Sequence, residues 1–224
     1  MATTIPLIGA VHGVVGVLGS LGSISFGGGA MFQVRIHGRG GQGVVSAAEM
    51  LSIAAFLDGE WAQAFPSFGS ERTGAPVVAF CRIDKKEIRS REPVMKPDAL
   101  IIQDPTLPHQ IDVFAGLVST GYVLINSSCG FDELGLASVA ERFPPAHLCT
   151  MPATEIALRH VGRPVPNVPL LAGFAAITGL VRLESIHAAI REKFSPRIAE
   201  ANIAAASDAF ATARSLAALQ PAEI

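Results

Sequence analysis

The residues whose types and spacing best suit chemistry lie in "IHGRGGQGVV", residues 36–45. Gly38, Gly40 and Gly43 satisfy G-x-G-x-x-G, with Arg39, Gly41 and Gln42 between them. A glycine loop that runs into a helix leaves backbone N–H groups unpaired and aims the helix dipole at them, which suits a phosphate. A dinucleotide site also needs an acidic residue about 20 positions on, at the carboxyl end of the second strand. Asp58 has that count, but it closes the helix and precedes the second strand, so it is expected at the opposite edge of the sheet. The second strand itself ends in Phe65-Pro66-Ser67, without a carboxylate. An anion cradle of another kind, or a structural glycine turn, therefore fits the loop better than a dinucleotide fingerprint.

A second stretch, "AFPSFGSERTGAPVVAF", carries Ser67, Glu71 and Arg72 in a loop punctuated by Gly69, Gly74 and Pro76. Few side chains shield its two charges. The planar fork of Arg72 suits a phosphate or a carboxylate, with Glu71 orienting it or pairing across an interface; a merely solvated loop is the alternative. Other chemistries find no support. Cys81, Cys129 and Cys149 are scattered, with no C-x-x-C pair for zinc or an iron–sulfur cluster, and read as small apolar residues in a reducing cytoplasm. His37, His109, His147, His160 and His187 show no metal-ligand spacing, and no Ser–His–Asp or paired-carboxylate arrangement emerges.

The elements that must position these loops are legible from periodicity. "FQVRIHG" alternates as a strand does, and "VVSAAEMLSIAAFL" repeats at helical spacing until Asp58-Gly59 stops it. "EWAQAF", "APVVAFCRI", "ALIIQD", "GYVLINSS" and "HLCTM" read as further strands. "PHQIDVFAGLV", "DELGLASVAERF" and "ATEIALRHV" read as helical connections. The tail is helical through "NVPLLAGFAAITGLV", "LESIHAAIREKF" and, opened by Ser195-Pro196, "RIAEANIAAASDAFATARSLA". Asn167 is expected to cap the first of these tail helices. The order predicts an α/β fold: a single doubly wound, mostly parallel sheet with helices on both faces and a helical C-terminal tail.

Composition limits the partners. The 224 residues carry 17 basic and 19 acidic side chains, a net charge of −2, and no block of like charge, which argues against nucleic acid and anionic membranes. Half the residues are apolar and only 16% are charged, which favours a subunit buried in an assembly. Residues 1–30 form an apolar, glycine-rich extension without a single charge. It lacks the basic start of a secretory signal, and its glycines and serines make a poor membrane span. The folded pattern begins directly after Met31, which makes Met31 a candidate start, with residues 31–224 as one domain.

Taken together, "HGRGGQGVVSAAEML", "FPSFGSERTGAPVVAF", "IIQDPTL", "PNVPLLAGFAAITGLV", "LESIHAAIREKF" and "AEANIAA" resemble the gamma subunit, or gamma domain, of 2-oxoacid:ferredoxin oxidoreductases, over residues 32 to 215. The "FGSERTGAPV" form resembles the pyruvate branch; an enzyme for an aromatic 2-oxo acid with the same type of gamma subunit is the alternative within the family. The resemblance implies a cytoplasmic complex that oxidatively decarboxylates a 2-oxo acid, transfers the acyl group to coenzyme A and passes electrons to ferredoxin or a similar acceptor. It implies that thiamine diphosphate and the 4Fe-4S clusters sit in partner alpha, beta and ferredoxin-like delta subunits, and that this chain is not catalytic alone. It also implies a share in the coenzyme A cleft for Gly38, Gly40, Gly41, Gln42, Gly43, Ser67, Glu71 and Arg72. Outside the family, the alternative is an independent nucleotide-binding oxidoreductase that uses the Gly38–Gly43 loop.

Overall fold

The computed structural model describes residues 31–67, 73–90 and 92–218; the apolar extension at 1–30 and the candidates Glu71 and Arg72 lie outside them. The chain opens with strand β1, Phe32–Arg39, followed by helix α1, Val44–Leu57. Strands β2 (Trp61–Pro66), β3 (Pro76–Asp84), β4 (Ala99–Ile102) and β5 (Tyr122–Asn126) come next, then the short helix α2 (Ala137–Ala140) and strand β6 (Leu148–Met151). Helices α3 (Ala153–Val161), α4 (Asn167–Thr178), α5 (Leu183–Lys193) and α6 (Pro196–Ala218) complete the described residues.

The six strands form one sheet in the order β2-β3-β1-β4-β5-β6. β1, β4, β5 and β6 run parallel, while β3 lies antiparallel between β1 and β2. Strand alternation sends Val34, Ile36, Cys81, Ile101, Leu124 and Met151 to one face, where α1 and α3 to α6 cover them. The other face divides in two. Over β4 to β6 it is apolar, with Leu100, Ile102, Val123 and Ile125 packed under Leu107, Phe114, Leu136 and Phe143. Over β1 and β3 it carries Arg35, His37 and Arg82, all buried. The helical and strand layers are those expected of the α/β reading, with α2 the helix on the second face.

Helix α4 is buried almost throughout because it lies between the sheet and α6. Small residues permit that closeness: a Cβ on Gly173 would meet Met151 Sδ at 2.4 Å, and α6 turns Ala199, Ala205, Ala206, Ala209 and Ala213 inward. Two helical expectations fall short. In 108–118 only one 3₁₀ turn forms, Leu107–His109, because Arg35 Nη2 captures the carbonyls of Val113 and Ala115, at 2.8 and 2.7 Å, that a helix would use internally. In 132–143 Gly135, at φ +68°, breaks the first turn and leaves only α2.

Cys81 and Cys149 are buried as expected, and burial pushes the Cys149 thiol up to about 12; Cys129, by contrast, is exposed. Among the described residues no helix is long and apolar enough to cross a membrane.

Candidate functional site

β1 delivers the glycine loop to the carboxyl edge of the sheet. There Gly41 and Gly43 adopt φ of +97° and +75°, conformations that L side chains rarely take. Gln42 N–H donates to the Arg39 carbonyl at 3.0 Å, and its side-chain Oε1 accepts from Arg39 N–H at 2.7 Å, so the loop is pinned by its own glutamine. Gly43 precedes α1, and no side chain caps that helix. The first-turn N–H groups of Val44, Val45 and Ser46 have no intrahelical acceptor and no acidic neighbour in that turn.

These groups open onto a cleft of about 430 Å³ lined by Arg39, Gly40, Gly41, Gly43, Val44, Val45, Ser46, Thr73 and Val77. Among the described residues its lining includes no carboxylate. The opposite wall is held against the loop by backbone bonds: Gly40 N–H donates to the Ala75 carbonyl at 2.9 Å, and Gly74 N–H to the Gly40 carbonyl at 3.2 Å. The chemistry of such a surface is that of an anion receptor, with amide donors on one side and the Ser46 and Thr73 hydroxyls beside them.

The predicted residues do not share one role. Gly40, Gly41 and Gly43 line the cleft. Gly38 lies beneath it, where a Cβ would meet Val44 Cγ2 at 2.6 Å, so this glycine serves the packing of helix on strand. Gln42 turns away from the cleft, toward Arg39 and, at 3.4 Å, Asp104. Ser67 is exposed at the end of β2, with its N–H bonded to the Val78 carbonyl at 2.8 Å, on the same sheet edge but outside the lining. Glu71 and Arg72 belong to the segment between Ser67 and Thr73, outside the described residues.

Three features of the site differ from or add to what the sequence suggests. Arg39 is a strut: Nε donates to Asp104 Oδ2 at 2.8 Å, Nη1 to the Gly74 carbonyl at 3.1 Å, and Nη2 to Thr106 Oγ1 and Gln110 Oε1, each at 2.9 Å. Burial acts to raise the Asp104 pKa, but the bonds from Thr106 and Arg39 prevail and hold the carboxyl below its ordinary value. Asn167 was expected as a helix cap. It is instead the first residue of α4, with Oδ1 accepting from Val168 N–H at 2.8 Å and Nδ2 toward the Gly43 carbonyl at 3.5 Å. Finally, His37 is buried behind the loop with no partner for either ring nitrogen among the described residues, and burial, aided by Arg35, pushes its pKa down to about 3. The "GRGGQ" and "QDPT" spellings carry the Arg39–Asp104 pair, but only the pairing of β1 with β4 brings them together.

Asp58 sits at the far end of α1, as expected. It accepts from Arg182 N–H and Nε, at 2.7 and 2.6 Å, and from Ser185 Oγ, at the start of α5. It is a structural carboxylate with no access to the loop.

A model of the family described as pyruvate ferredoxin/flavodoxin oxidoreductase matches residues 33–212. The chain belongs to this family. It is 46% identical over 180 residues to the pyruvate/ketoisovalerate oxidoreductases common subunit gamma of Pyrococcus furiosus, covering 80% of this chain and 96% of that one. Against pyruvate synthase subunit PorC of Methanothermobacter marburgensis it is 44% identical, again over 80% of this chain and 96% of the relative. Among solved structures, pyruvate oxidoreductase subunit PORC from Thermotoga maritima superposes with a TM-score of 0.67 at 35% identity, covering 81% of this chain and 96% of that one. The chain is thus a gamma-type member, a subunit of an oxidoreductase rather than an enzyme alone.

Proposed function

We propose that this chain supplies the coenzyme A side of a 2-oxoacid:ferredoxin oxidoreductase, receiving the anionic part of the cofactor at the N-terminus of α1. The observation that carries this reading is the open cleft over an uncapped first turn, walled by glycines and, among the described residues, without a carboxylate. The cleft is smaller than coenzyme A. It holds a part of the molecule, with the remainder completed by neighbouring subunits. Arg72, in the sequence between Ser67 and Thr73, pairs with a phosphate, and Glu71 orients it.

Thiamine diphosphate and the 4Fe-4S clusters belong to the alpha, beta and delta partners, where decarboxylation and electron transfer to ferredoxin or a similar acceptor take place. Among the described residues no three His, Cys, Asp or Glu side chains come together as a metal site. Pyruvate is the substrate we assign. The Pyrococcus relative is named as common to pyruvate and ketoisovalerate oxidoreductases, which supports placing the choice of 2-oxo acid on partner chains. An independent dinucleotide oxidoreductase is disfavoured because Asp58 is committed to α5.

The test is Ser46→Glu in the assembled complex. A carboxylate placed in the first turn opposes a bound anion, and the KM for coenzyme A should rise at least about tenfold, equivalent to ~1.4 kcal/mol. The KM for the 2-oxo acid should stay unchanged. An unaltered coenzyme A KM in both Ser46→Glu and Arg72→Ala would refute the reading.

A further inference from the structure

An open α/β sheet ordinarily takes its ligand in the crevice where strand order reverses, outside the carboxyl ends of two neighbouring strands. Here that crevice lies between β1, whose helix leads outward toward β2, and β4, whose connection leads the other way to β5. It is shut. Arg39, at the end of β1, engages four of its five N–H donors, three of them on Asp104, Thr106 and Gln110 just beyond β4 and one on the Gly74 carbonyl. Gln42 folds over the same place and reaches Asp104 as well. Beneath them Gln103 is fully buried, with neither atom of its amide hydrogen-bonded among the described residues.

We propose that Arg39 is a positioning and specificity-determining residue. Its clamp closes the β1–β4 crevice to nucleotides and sets the spacing of the cleft on the β3 side, so that the anionic cofactor is received only there. This inference rests on the coenzyme A reading above. Three observations support it. With four donors committed, the guanidinium is unfit to serve as the phosphate receptor itself, although it lines the cleft. Its bond to Gly74 joins the Gly40–Ala75 and Gly74–Gly40 backbone bonds, so the same side chain fixes the wall that carries Thr73. The partners lie around a planar fork at separate angles, which an ammonium cannot match from a single point.

The experiment uses the assembled complex with Arg39→Ala, Arg39→Lys, Asp104→Asn and Arg39→Ala/Asp104→Asn in this chain. Arg39→Ala should raise the KM for coenzyme A about tenfold, with kcat at saturating coenzyme A changed less than about twofold and the KM for the 2-oxo acid unmoved. Arg39→Lys should fall between Ala and the native chain, and the double variant should be no worse than Arg39→Ala. Competition by ADP, which carries the diphosphate without the pantetheine arm, should strengthen relative to coenzyme A about tenfold once the crevice opens. If Arg39→Ala does not assemble, Thr106→Val and Gln110→Ala each remove one bond and should show the same pattern at about twofold. A normal coenzyme A KM and normal ADP competition in the Arg39 variants, while Ser46→Glu still weakens coenzyme A, would overturn the clamp alone. If Ser46→Glu is also without effect, the coenzyme A reading falls with it.

Discussion

Gly43→Ala probes the junction on which the loop turns. Gly43 has φ +75° and ψ 31°, a left-handed conformation that costs an L residue roughly 1–2 kcal/mol. The added Cβ would also lie 2.4 Å from Asn167 Nδ2 and 3.0 Å from its Cγ. Asn167 is buried and accepts from Val168 N–H at 2.8 Å, so its amide has to swing away and give up that bond, worth about 1 kcal/mol. The expected loss is about 2–3 kcal/mol, or roughly 4–12 °C in Tm for a chain of this size. Urea denaturation of the purified chain measures it. Asn167→Ala separates the two contributions: alone it should cost about 1 kcal/mol, whereas in the Gly43→Ala background it should cost almost nothing, because the bond has already been lost. Strict additivity of the two substitutions, or a Gly43→Ala loss under about 0.5 kcal/mol, would refute this account of the junction.

Two further outcomes are expected. Asp58→Ala should lose about 1–2 kcal/mol through the Arg182 N–H and Ser185 bonds at the start of α5, the exposed Arg182 side chain adding little, with the KM for coenzyme A unchanged; a shifted coenzyme A KM would contradict its distance from the loop. His37 is held neutral because its folded pKa, about 3, lies below the unfolded value near 6.5, so its contribution is present above pH 6.5 and is lost as pH falls toward 3. Between pH 7 and pH 5 that amounts to ~2 kcal/mol, and His37→Gln should remove this share of the fall in urea midpoints; an identical fall in the variant would show that His37 does not titrate this way.

Local patterns that carry their own stop signals were legible. The alternation of β1, the apolar spacing of α1 and the Asp58-Gly59 turn after it come through intact because each is decided within a few residues. The connections after β4 and β5 were not. The first is overruled from outside its segment, by Arg35 drawing carbonyls across from β1, and the second from within, by a left-handed glycine at 135. The candidate site divides in the same way. Its glycines stood out, but Arg39 presents itself in sequence as a free cation beside a glycine loop, and its side-chain partners Asp104, Thr106 and Gln110 lie 65 to 71 positions away. A separation of that size is fixed by the order of strands in the sheet, which spacing along the chain does not encode.

The glycine motif shows why matching a spacing says less than assigning each position a reason. In the dinucleotide fingerprint the glycines permit a tight turn, a close approach of pyrophosphate and the packing of helix on strand. Here Gly38 performs the packing, since its missing Cβ makes room for Val44. Gly40 joins the loop to the approach of β3 through paired backbone bonds. Gly43 supplies the left-handed step into α1 and the space for Asn167. Gly38 and Gly43 thus have causes that would select glycine with or without a dinucleotide nearby. What separates the two possibilities is Arg39, the long side chain between the first two glycines: turned toward Asp104, it closes the crevice that a pyrophosphate would enter and leaves the first turn of α1 open on the other side.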